Sequence, residues 1–178
     1  MSNAQELQDQ GIKLFQQKDY EEASRLFHQA MDAYSTEEKR DMVAEMQTNI
    51  GLVHRTLGEH QQALDAMQGA LSIFQELNDS LRAAKVLGNL GGVYAALQDK
   101  EQAYNCYRQA ADIFEELGEK KLYGETLIAM GDLQVRDGKL MVGAATYEAG
   151  LEQLDHLKGS QKVIKGLLGI RNKIMGGS

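Results

Sequence analysis

"LGNLGGVYAALQDKEQAY", residues 87–104, has the composition and apolar spacing of a helix, yet it places Gly88, Gly91 and Gly92 within five residues. A glycine inside a helix costs about 1 kcal/mol relative to alanine, so something must compensate. Either the glycines form a phosphate-cradling loop, or another part of the molecule approaches the backbone closely. The loop reading fails. "GNLGG" lacks the G-x-G-x-x-G spacing, no β-branched strand precedes it, and no G-K-[ST] follows it. A repeat explains the central glycine instead: Gly11, Gly51, Gly91 and Gly131 recur at a constant interval of 40 residues.

Other columns keep the same register. Twelve residues after each glycine stand Ala23, Ala63, Ala103 and Gly143; sixteen after stand Phe27, Met67, Tyr107 and Tyr147; nineteen after stand Ala30, Ala70, Ala110 and Gly150. Each copy divides about halfway at "KDY", "GEH", "QDK" or "DGK", where an Asp or Gly is placed to begin a second helix. We call the two helices of a copy A and B. Between copies, Ser35 and Glu38 have the spacing of a capping box and Gly118 that of a helix end. The small residues let helices close on one another, with large neighbours filling the gaps. The expected fold is all-α, a solenoid of four antiparallel hairpins. The repeats cover about residues 4–35, 36–77, 78–117 and 118–157, forming an array over 1–157.

Residues 158–178 follow the array and hold Lys158, Lys162, Lys165, Arg171 and Lys173 with no acid. The next glycine of the register would fall on Arg171, which should stop the array. Val163, Ile164, Leu167, Leu168, Ile170 and Ile174 make one apolar face, as suits a capping helix laid over the last hairpin. The alternative is a basic amphipathic helix, residues 160–175, that docks on an anionic membrane as part of an assembly factor or chaperone. The net charge is -7, and the five cations of this segment leave the array more acidic still. That acidity, with no basic stripe interleaved with aromatics, argues against nucleic acid. No apolar run reaches the roughly 20 residues of a membrane span, and "MSNAQELQDQ" has no signal-peptide pattern, so a cytoplasmic location is expected.

The Gly, Ala, aromatic and Ala columns over about residues 4–157 resemble those of tetratricopeptide repeat (TPR) proteins. A unit of 40 residues without proline is similar to the long-repeat type of cell-polarity adapters and kinesin light chains. The resemblance implies a concave wall of A helices that binds a peptide or helix of a partner protein. Family groove positions fall on Asn49, Leu52, Arg55, Lys85, Gly88, Asn89, Gly92, Asp132 and Arg136, among others. The carboxylate clamp of chaperone-binding members is incomplete: Asn49 and Lys85 match it, but Gln8, Ile12 and Asn89 occupy its other places. Asn49 and Asn89 can offer donor and acceptor to a peptide main chain. Phe15, Leu52, Ile128 and Val135 would give apolar footing beside them. Gly88 and Gly92, with Ala95 and Ala96, would leave a bare strip for a partner's backbone.

No catalytic, metal or cofactor site is expected. His28, His54, His60 and His156 make no HxxxH pair, and the single Cys106 has no cysteine partner and no base suggested nearby. Adjacent Glu pairs at 21–22, 37–38 and 115–116 do not face each other on a helix. The chain therefore reads as a non-catalytic scaffold. Self-association by stacking of array ends is the remaining structural alternative.

Overall fold

The computed structural model describes residues 3–157 and 159–175, without the side chains of Leu167 and residues 169–175. The described residues form α1 (Ala4–Gln16), α2 (Tyr20–Thr36), α3 (Arg40–Leu57), α4 (His60–Glu76), α5 (Ser80–Ala96), α6 (Lys100–Glu116), α7 (Lys120–Arg136), α8 (Leu140–Glu152) and α9 (Gly159–Met175). The first eight pair as four antiparallel hairpins, α1–α2 to α7–α8, and each B helix packs on the next A helix. Second-neighbour contacts join α3 to α5 and α5 to α7, whereas no two B helices approach comparably. The array therefore closes toward its A helices, as expected of a solenoid.

Every turn between the first eight helices is built the same way. Lys18, Glu38, Gly58, Asn78, Gln98, Gly118 and Gly138 all have left-handed backbones, with φ between 56° and 81°, and they recur every 20 residues. Each follows a helix C-terminus, and the next residue is the N-cap of the following helix. The true half-repeat is thus a single helix and turn, hidden in the sequence because four of the seven turn residues are not glycine. Gly118 ends α6 as expected. Gly58 and Gly138, expected to open B helices, instead close A helices, because their positive φ suits a C-terminus. Asp19 and Asp99 do cap B helices, accepting from the backbone N–H of Glu22 and Gln102. Ser35 does not cap α3: it lies in the last turn of α2, Glu38 turns the chain, and Lys39 takes the cap position without a side-chain bond.

The period-40 glycines pack against the residue sixteen places on. A Cβ on Gly11 would lie 2.7 Å from the Phe27 ring, one on Gly51 2.7 Å from Met67 Cγ, and one on Gly91 2.7 Å from the Tyr107 ring. Ala23, Ala30, Ala63, Ala70, Ala103 and Ala110 are fully buried between these contacts. In the fourth hairpin the glycines bring backbone against backbone. A Cβ on Gly124 would lie 2.7 Å from the Gly150 carbonyl oxygen, and one on Gly131 2.8 Å from that of Gly143. The copy that departs furthest from the sequence pattern is therefore the most closely paired hairpin.

α9 contacts α8. Val163, expected on its buried face, is 64% exposed, while Ile164 and Leu168 are half-buried. The side chains of Leu167, Ile170, Arg171, Lys173 and Ile174, and all of Lys158, lie outside the described residues. No described helix is long and apolar enough to cross a membrane.

Candidate functional site: the A-helix face

Two depressions open between A helices. The first, of about 370 Å³ between α1 and α3, is lined by Ile12, Phe15, Gln16, Asn49 and Leu52, with the Phe27 ring as part of its floor. The second, of about 310 Å³ between α5 and α7, is lined by Lys85, Gly88, Asn89, Glu125, Thr126 and Ala129, together with Leu122, Tyr107 and Phe114. Asn49 and Asn89 occupy the same place in successive copies, two residues before Gly51 and Gly91. Each thus sits beside an apolar hollow with a helix backbone already satisfied by its own i, i+4 bonds.

The gap between α3 and α5 is filled by Arg55. Its Nη1 donates to Asn89 Oδ1 at 3.4 Å and lies 3.2 Å from the place of a Cβ on Gly92. Gly92 is bare because Arg55 crosses it. Gly88 differs, since a Cβ there would meet nothing within 4 Å. The strip expected at Gly88 and Gly92 is therefore open at Gly88 and covered by a guanidinium at Gly92. Asp132 and Arg136 are exposed on α7. With Arg55, they act electrostatically on the buried Tyr107 hydroxyl, whose pKa is raised mainly by desolvation.

Other expected groove positions serve the fold. Gln8 is buried, accepts from the Tyr34 hydroxyl at 2.8 Å and donates to Glu45 at 2.9 Å. Glu45 also lies 3.7 Å from Arg82. Val135 Cγ2 reaches across to Gly143, and Ile128 Cγ1 to Gly150, so both footings are partly spent on α8. Tyr107, Phe114, Leu122 and Thr126 were missed as lining residues. The two aromatics belong to a B helix, and Tyr107 reaches the A-helix face over the bare backbone of Gly91, a depth that spacing along one helix does not reveal.

His54 Nδ1 pairs with Glu59 at 2.6 Å. Cys106 is buried, and desolvation, aided by the Asp99 charge, raises its thiol pKa. Among the described residues no three His, Cys, Asp or Glu side chains are grouped to hold a metal ion.

The sequence model of the family described as "Soluble NSF attachment protein, SNAP" matches residues 1–156. No curated protein matches the chain significantly. Among solved structures, BtubC (BKLC) from P. vanneervenii is similar with a TM-score of 0.68 and 18% identity, covering 93% of this chain and 64% of that one. The apo form of RapI is similar with a TM-score of 0.61 and 19% identity, covering 79% of this chain and 64% of that one. This chain thus spans under two thirds of the length of either structure, and the likeness concerns the stacked-hairpin fold.

Proposed function

Because this chain belongs to the soluble NSF attachment protein family and is built of tetratricopeptide-type repeats, we propose that it is a non-catalytic adapter that binds a peptide or helix of a partner protein along its A-helix face. The observation that carries the reading is the repeated pairing of an apolar hollow with an asparagine, Asn49 in one and Asn89 in the other. Apolar partner side chains would enter the hollows, while the amides meet the partner's main chain. Arg55, Lys85, Asp132 and Arg136 would supply charged contacts around Leu52, Gly88 and Gly92. The family is named for attachment proteins, which supports a partner-binding role.

The test is affinity capture from the native lysate with wild-type protein and an Asn49→Ala, Asn89→Ala double variant of equal helicity. Partners retained by the wild type and lost by the variant are expected. Identical capture by both proteins would overturn the groove reading.

A further inference from the structure

A second site, on α6, α7 and the start of α8, emerges when the four copies are compared at one junction. Eight residues after the repeat glycine, three copies place an acid, Asp19, Glu59 or Asp99; the fourth places Lys139. At the equivalent places of earlier copies the polar groups find partners, His54 in Glu59 and the Tyr94 hydroxyl in Gln68 at 3.1 Å, although His60 Nδ1 at the start of α4 is buried without one. At the last junction that pairing is broken. Tyr104 Oη and Gln134 Oε1 are both buried without a hydrogen-bond partner, although such groups are normally satisfied.

Both residues line one cavity of about 290 Å³, together with Arg108, Met130 and Lys139. Lys139 lies 5.1 Å over the Tyr104 ring and 2.9 Å from Asp137, a carboxylate that Lys100 also engages. Arg108 makes no ion pair among the described residues. Two lysines share one carboxylate beside an arginine, so the site carries surplus positive charge. Leu140, Met141 and Val142 follow directly in the chain and are 62%, 57% and 56% exposed, an apolar ledge beside the cations.

We propose that this cavity is a second partner site, taking an acidic residue of a peptide segment with an apolar neighbour. The ligand must accept from Arg108, Lys139 and the Tyr104 hydroxyl, which a carboxylate does. It must also donate to Gln134 Oε1, which a peptide N–H does and a bare, fully deprotonated oxyanion does not. The apolar neighbour would rest on the ledge. This site is independent of the groove, being built from other residues.

The experiment is a titration of the full chain, followed by NMR of the Gln134 side-chain amide and the Tyr104 ring. The probe is the blocked peptide Ac-Leu-Glu-Glu-Leu-Leu-NH2, compared with its Gln-Gln counterpart and with inorganic sulfate, an oxyanion with no proton to donate at neutral pH. Saturable shifts are expected with the acidic peptide, with affinity at least about tenfold lower for the neutral one. Lys139→Asp, which restores the acid of the other copies and so favours the helix start, should remove the response while keeping the fold. The Asn49→Ala, Asn89→Ala variant should respond as wild type does. Absence of saturable shifts, equal response to the neutral peptide, an equal response to sulfate, retention in Lys139→Asp, or loss in the double asparagine variant would each overturn the proposal.

Discussion

The ring of Tyr107 rests on the backbone of Gly91, its Cδ1 2.7 Å from the place a Cβ would take. Tyr107 is buried and the contact reaches its Cγ, at 3.0 Å, so the ring cannot swing clear about its far end. Gly91→Ala should therefore destabilise the chain by about 1–3 kcal/mol, despite alanine's better helix propensity. Gly88→Ala, where a Cβ meets nothing, should instead stabilise it by up to about 1 kcal/mol. Urea unfolding of the two variants checks the opposite signs.

The contact between Gly124 and Gly150 is stricter, because backbone meets backbone on both sides. Gly150→Ala would place its Cβ 2.6 Å from the Gly124 carbonyl oxygen, and neither helix has a side chain to yield. The expected cost lies at or above the top of the 1–3 kcal/mol range for overpacking. Hydrogen exchange should show the loss concentrated in α7 and α8, as neighbour-limited repeats unfold locally.

Glu38 has φ 58°, a left-handed backbone that costs an L-residue about 1–2 kcal/mol. Its equivalents Gly58, Gly118 and Gly138 show that glycine suits the turn. Glu38→Gly should raise stability by a fraction of that strain, since glycine also gains freedom in the unfolded chain. A thermal melt that falls would show that Glu38 is unstrained.

Asp79 caps α5 by accepting from the Arg82 N–H at 2.9 Å, and its side chain meets Arg82 Nε at 2.5 Å. Burial alone would raise its pKa, but these bonds and the guanidinium charge outweigh it and hold the carboxyl below its ordinary value of 3.8. A folded-state pKa below the unfolded one gives stability that is complete above the unfolded value and lost as pH falls through the folded value. Asp79→Ala should cost about 0.5–2 kcal/mol near pH 7. Unfolding curves should show that difference shrinking below pH 3.8. A gap that persists undiminished in acid would place the effect elsewhere.

At Gly92, leucine would drive the Arg55 guanidinium off Asn89, since even a Cβ comes within 3.2 Å of it. Gly92→Leu should leave the circular dichroism helical and abolish partner capture. A folded variant with normal capture would confine the Arg55–Asn89 contact to packing.

Periodicity alone determined the helices, their pairing into hairpins and the columns of small residues where they close, because a repeat writes each feature several times. That Gly11 packs on Phe27 and Gly91 on Tyr107 came from the structure, as did the backbone contact that replaces it at Gly131. Turn chemistry was less legible: Ser35 and Glu38 have the spacing of a cap, but a left-handed turn at Glu38 shifts the helix start to Arg40. Spacing also could not show that the two extra glycines differ, since the reason at Gly92 is Arg55, a residue on the preceding A helix. Nor could it reveal that Tyr107 reaches the groove or that Tyr104 and Gln134 are stranded together. These are distances between helices, and they depend on how closely two backbones approach, which only the packed tertiary structure decides.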